Sequence, residues 1–319
     1  MKRNQLILIT AGISLFAWSC KKDIVEMENT YPASTTSNGA LANFIAQNAP
    51  AMQQFTVNAS TGGVLNGISG AIVTVAPNSF LYPNNQPVSG TVTITLQEVY
   101  HKRDIIFSGG NTTSNGLPLS SGGEVYFNAT QGSQQLILAG TSSVTVSIPA
   151  YNGAPPMQEF TTPNFTGNND FTLVNGSSGA VTVMPDSLPF PITGSRYETQ
   201  LNALGWTNCD QYLDASADQT EFSVPIPTLF NDGNSMLIVT SPSAVNAAQI
   251  HFFDAATNMF TCGYYRLTVG DVFTFSIISE INGQFYWDSR TVTITDDISI
   301  ALNPQISTQA EILQNVGNL

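Results

Sequence analysis

Histidine and positive charge are what this 319-residue chain has least of: two histidines, and nine Lys and Arg together against 22 Asp and Glu. His101 and His251 each stand beside a strand-like pattern, and neither has an acid and a nucleophile at a catalytic spacing. A histidine-based hydrolase or a zinc site has little to be built from. The net charge of −13 gives no electrostatic grip on phosphate backbones, which excludes nucleic acid as an expected partner. Three cysteines are too few for a disulfide-dense scaffold. No phosphate-binding loop or metalloprotease helix occurs. Gly67-Ile68-Ser69-Gly70-Ala71 and Gly176-Ser177-Ser178-Gly179-Ala180 each miss the nucleophile-elbow pattern at the last position. Asp232-Gly233-Asn234 is a turn signal without the ligand series of a calcium loop. The expectation is therefore no catalytic residue, no cofactor and no metal. From Glu198 to Asp254 there are seven acids and no Lys or Arg; a solvated acidic surface is expected there, with a calcium-attracting face as the alternative.

Long apolar runs are also scarce, and the exception lies at the start. Lys2 and Arg3 precede an almost wholly apolar stretch from Leu6 to Phe16, followed by small residues and a cysteine. That is the layout of a signal peptide, and the stretch is short of the roughly 20 residues a spanning helix needs. Ala17-Trp18-Ser19-Cys20 resembles a lipobox, with Ser19 before the cysteine as in lipoproteins of the Bacteroidota. The resemblance implies cleavage before Cys20 and lipidation of that residue. Acyl chains contribute about 0.8 kcal/mol per buried methylene, so two or three would hold the protein firmly on a membrane. Removing the positive charges of Lys2 and Arg3 from a net −13 leaves −15 on the mature chain. Lys21-Lys22-Asp23, Glu26 and Glu28 resemble the charged tether of surface-directed lipoproteins. The expected address is the outer membrane, at the cell surface, with the periplasmic face as the alternative.

What the chain has in quantity is the vocabulary of β-structure. Residues 20–54 read as a tether and one short helix, Ala40 to Met52, with Asn38 or Ser37 as cap. From Phe55 short runs rich in β-branched and aromatic residues recur between Gly, Asn and Pro clusters: Ile72–Val75, Gly90–Leu96, Glu124–Phe127, Leu136–Leu138, Val144–Ile148. Such spacing indicates an antiparallel sandwich over 55–150. Residues 151–221, broken by Pro155, Pro156, Pro163, Pro185, Pro189 and Pro191, read as an irregular connection with a few strands. A second sandwich is expected over 222–319, with an Asn282-Gly283 hairpin signal and a capping box from Thr308 to Glu311. The fold class is thus all-β: two antiparallel sandwich domains and a short N-terminal helix after a lipoprotein signal peptide over 1–19.

Gly62-Gly63-Val64-Leu65, Gly70-Ala71-Ile72-Val73-Thr74-Val75, Pro77-Asn78-Ser79-Phe80 and Gly90-Thr91-Val92-Thr93-Ile94 resemble a ZU5-type sandwich. Ser120-Ser121-Gly122-Gly123-Glu124 and Leu204-Gly205-Trp206-Thr207-Asn208-Cys209-Asp210 are similar to segments of Bacteroidota lipoproteins. The resemblance implies an interaction module without catalytic residues. The expected function is a non-enzymatic outer-membrane lipoprotein binding an envelope protein or serving as a structural module. A glycan-binding accessory protein is the alternative, and an envelope hydrolase comes third. Ser108 to Ser121, polar and Gly-rich between strands, is expected as a flexible solvated loop, and it is the first candidate for a recognition loop. Trp206 is expected as a packing anchor rather than a sugar platform. Asp186-Ser187-Leu188 resembles a short O-glycosylation acceptor, making Ser187 a candidate. Cys209 and Cys262 are a candidate disulfide, which would close a 54-residue loop and stabilise by about 4 kcal/mol. Two buried free thiols are the alternative.

Overall fold

Alternation builds the first sandwich. Along the strand Thr91–Val99, Val92, Ile94 and Leu96 are fully buried on one face, while Thr91, Thr93 and Thr95 point the other way. The neighbouring strand Gln53–Asn58 turns Phe55 and Val57 to the same core, and the long strand Leu117–Gln131 adds Val125, Phe127 and Ala129. The computed structural model describes residues 39–140, 143–151, 157–162, 172–173, 182–185, 195–213 and 218–319. These residues belong to one compact unit.

The first core lies between an eight-stranded sheet and a five-stranded sheet. The larger has the order Gln53–Asn58, Thr91–Val99, Leu117–Gln131, Gly205–Tyr212, Gln158–Thr162, Thr172–Leu173, with two short strands pairing the long one. The smaller contributes Leu65, Val73, Val75, Val144, Val146, Ile148 and Tyr197 from its inner face. The second core lies between a five-stranded sheet centred on Ser235–Thr240 and Val272–Ile281 and a four-stranded sheet centred on Phe222–Pro225. Facing sheets with alternating inward residues are the sandwich arrangement, so the all-β class is correct.

A third core fuses the two sandwiches. Every residue of Ser235–Thr240 is buried: Leu237 and Val239 enter the second core, Met236 and Ile238 the third. Three short helices lie in this third layer: α1 (Gly39–Asn48), α2 (Lys102–Ser108) and α3 (Gln309–Gly317). Phe44 of α1 packs edge-on against Phe107 of α2 at 5.8 Å and against Phe285 at 5.1 Å. α3 begins with the expected capping box between Thr308 and Glu311 and buries Ile312 and Val316. The hairpin at Asn282-Gly283, both at positive φ, joins two ten-residue strands. The helix α2 has no counterpart in the sequence reading, because seven residues are too few for a periodic signal.

Two expectations need correction. The segment 151–221 is not merely a connection: Gln158–Thr162, Ser195–Gln200 and Gly205–Tyr212 are strands of the first sandwich, and the last pairs along the long strand. Its prolines fall mostly outside those strands, so proline density misreads it as a linker. Cys209 and Cys262 are free buried thiols, one in the first core and one in the second. A disulfide would need their Cα atoms within about 7 Å of each other. The bridged reading fails because the residues belong to different sandwiches.

Candidate functional site

The outer face of the eight-stranded sheet, turned away from the first core, can be followed row by row from the strand register. Inward of the terminal pair Asn58 and Thr91, the first row is Thr56, Thr93, Thr130 and Gln135; the next is Gln54, Thr95 and Asn128. Then come Gln97, Tyr126, Trp206 and Thr162, and after them Val99, Glu124, Asn208 and Phe160. The last row is buried beneath the third core, and the first two are wholly or partly exposed. Gln97 marks the boundary, its side chain donating to the Pro50 carbonyl at 2.7 Å.

A cleft of about 540 Å³ opens beside that boundary. Tyr126 and Trp206 stand at one side with ring centroids 5.5 Å apart and planes tilted by 51°. Asn128, Gln135 and Asn202 supply amides; Leu136, Ile137, Leu138 and Leu204 supply apolar surface. None of the lining residues is charged. Asn128 and Gln135 pair reciprocally, amide to carbonyl, at 3.1 and 2.6 Å, which fixes both side chains. Trp206 is only 5% exposed and belongs to the third core, so it is the packing anchor expected of it while also bordering the cleft. Size, mixed apolar and amide lining and partial enclosure are those of a small-ligand site.

Asn202 connects the cleft to a buried acid. Its amide donates to Glu159 at 3.2 Å. Burial pushes the Glu159 carboxyl up to about 7, against the opposing hydrogen bonds of Thr199 and Asn202.

Two other carboxyls sit deeper, in the row sealed by the third core. Asn208 donates to Glu124 at 3.2 Å and to Asp210 at 2.5 Å, and accepts from Ser121 at 2.9 Å. Burial pushes Glu124 up to about 8. Asp210 is raised well above the carboxylate range by burial first and by Glu124 second. Gly110, just past α2, closes over Glu124: a Cβ there would lie 3.3 Å from its carboxyl oxygen. Glu124, Asn208 and Asp210 are fully buried, so this polar network lies wholly inside the protein.

Glu98 is a fourth buried acid with a different role. It accepts from the main-chain N–H of Ser69 and Ala71, from Gln53 and from Tyr100, at 2.7 to 3.1 Å. Gly67 permits this approach, since a Cβ there would stand 2.4 Å from the carboxylate. Ser69, in the near-elbow motif, thus serves in a loop gathered around Glu98.

The segment Ser108 to Ser121 is not a surface recognition loop. Asn111, Thr112, Thr113 and Ser114 are buried and stitch the sandwiches together. Asn111 donates to Tyr265 at 3.0 Å and accepts from the Gln249 N–H at 2.6 Å; Thr112 exchanges hydrogen bonds with Ala247; Ser121 N–H donates to Val245. Polar, Gly-rich composition here satisfies main-chain groups across an internal seam instead of meeting water.

Cys20 and Ser187 lie outside the described residues. His101 is exposed beside Tyr151, and His251 is partly buried, which lowers its pKa. Among the described residues no three His, Cys, Asp or Glu side chains are grouped to hold a metal ion. The acids between Glu198 and Asp254 are dispersed in role: Asp210 is sealed inside, while Asp254 is exposed and holds a turn through Thr257 and Ala256. Sequence reasoning missed the cleft. The available signal was the alternation that puts Tyr126 and Asn128 on one face of the long strand. No family model matches this chain, and no curated protein matches it.

Proposed function

We propose that this protein is a non-enzymatic, lipid-anchored envelope protein that binds a neutral, hydroxyl-rich ligand, a glycan, in the cleft beside Tyr126 and Trp206. The observation that carries the reading is the lining: aromatic rings, three amides and no charge, on a protein whose net charge is −13. Amides donate and accept at once, as sugar hydroxyls do, and an aromatic ring presents a flat apolar surface to the C–H face of a pyranose. The lipobox-like residues ending at Cys20 support attachment to the outer membrane. The test is calorimetric titration of the purified protein with neutral mono- and oligosaccharides, repeated on Tyr126→Ala and Asn128→Ala. Binding that both substitutions weaken by about tenfold supports the reading, since one lost contact is worth about 1.4 kcal/mol. No binding by the native protein would overturn it.

A protein partner is the second reading, supported by one apolar patch. Ile68 is 75% exposed, and its N–H is held by Gln53, next to exposed Met52; exposed Tyr151 donates to the neighbouring Ser69 carbonyl. Three exposed apolar side chains thus surround one loop.

A further inference from the structure

The cleft does not end at Asn128. The row of Gln54, Thr95 and Asn128 and the row of Thr56, Thr93, Thr130 and Gln135 continue from it over the uncovered half of the sheet. Resting on the glycan reading of the cleft, we infer that the ligand is a neutral polysaccharide chain that leaves the cleft at Asn128 and lies across these two rows.

Three observations carry this. The first is continuity: Asn128 lines the cleft, belongs to the nearer row, and is paired with Gln135 of the farther one. The second is composition. Every side chain in the two rows is a hydroxyl or an amide, so the face offers paired donors and acceptors without a charge or a large apolar group. A protein interface would present a central apolar or aromatic cluster, an anion site would present Lys or Arg, and a cation site would present carboxylates. The third is extent. Neighbouring strands lie about 4.8 Å apart, so a row crossing four strands spans roughly 14 Å, more than one sugar ring can cover. The third core covers the same sheet face farther down, where Val99 and Phe160 are apolar. The uncovered half differs from it in carrying hydroxyls and amides.

The experiment titrates the purified protein with neutral gluco- and manno-oligosaccharides of one to six residues. A sulfated polysaccharide is tested in parallel. The proteins compared are the native chain, the double variant Thr93→Arg/Thr130→Arg and Tyr126→Ala, each with its melting temperature measured to establish folding. Expected is an affinity that rises about tenfold or more with chain length in the native protein, as added hydrogen bonds accumulate. The double arginine variant should lose that rise while binding the shortest sugar as before, and Tyr126→Ala should weaken every length. Affinity independent of chain length, or a rise that survives the double variant, overturns the extended platform and leaves the cleft reading standing. Binding of the sulfated polymer alone overturns the neutral ligand. No binding at any length overturns both. A melting temperature lowered by the arginines would direct the same comparison to Thr93→Ala/Thr130→Ala, whose undiminished rise is equally fatal.

Discussion

Asn208 donates its side-chain amide to Glu124 at 3.2 Å across a pair of strands, in a place where both residues are fully buried. The contact keeps an acid inside the protein, and burial pushes that acid up to about 8. An acid whose pKa is higher folded than unfolded keeps its proton while the unfolded chain loses it. Below the ordinary glutamate value near 4.5 both states are protonated and the stability is fully present. As pH climbs from there to about 8, the unfolded state binds fewer protons and stability falls. Asp210, also raised, acts in the same direction.

The first prediction follows for Glu124→Gln, which preserves an acceptor for Asn208 and never ionises. Urea unfolding across the pH range should show a shallower loss of stability in the variant than in the native protein. The gap should be of order a few kcal/mol above pH 8 and should narrow toward pH 4. Parallel curves for the two proteins would show that Glu124 ionises freely in the fold.

At the seam, Asn111→Ala leaves the Gln249 N–H without its side-chain acceptor and removes one hydrogen bond from the Tyr265 hydroxyl, which still accepts from Tyr264. An unsatisfied N–H costs about 1–3 kcal/mol and the lost bond to Tyr265 about 1 kcal/mol, so a loss of roughly 2–4 kcal/mol is expected in urea. Tyr265→Phe, which removes one hydroxyl, should lose only about 1 kcal/mol. Gly116→Ala should be severe as well, because Gly116 sits at φ 74° with its Cβ position 2.4 Å from the Tyr264 carbonyl oxygen. If Asn111→Ala melted like the native protein, the seam would be open to water.

The thiols give a direct mass measurement. Both cysteines are buried and free, and burial raises the pKa of each, with Asp210 and Glu159 adding to the effect at Cys209. Thiols with little thiolate and no exposure react slowly. Maleimide should add to neither residue in the native protein and to both after unfolding without reductant. A chain that resists labelling when unfolded would contain the disulfide that the two cores argue against.

For the anchor, Cys20→Ala should abolish incorporation of a labelled fatty acid and move the protein out of the membrane fraction or leave it uncleaved. Label retained by the variant would place the lipid elsewhere.

Strand assignments were legible wherever hydrophobic alternation was strong. Ile72–Val75 and Val144–Pro149 fall where their β-branched runs put them, and the Asn282-Gly283 turn and Thr308 capping box act through a few adjacent residues. The segment Ser108 to Ser121 was misread for an equally local reason. Gly, Ser, Thr and Asn suit a solvated loop, but the same side chains satisfy buried main-chain groups when another strand of the chain stands opposite, as Ala247 does for Thr112. Gly205–Tyr212 was lost among its neighbouring prolines, although it pairs with the long strand across most of its length.

Alternation within each strand determined which residues share a face: Thr93 with Thr95 and Gln97, and Asn128 with Tyr126 and Glu124. Nothing in that pattern distinguishes an exposed position from a sealed one. Whether Glu124 would meet water or lie under Gly110 depended on where the second sandwich and the helices came to rest, and whether Tyr126 would border a cleft depended on the segments 136–138 and 202–205 standing beside it. Those contacts join residues more than a hundred positions apart, such as Asn111 with Tyr265, and are made by packing between faces. A period of two along a strand fixes the side of the sheet to which a residue points; only the tertiary fold decides what stands against that side.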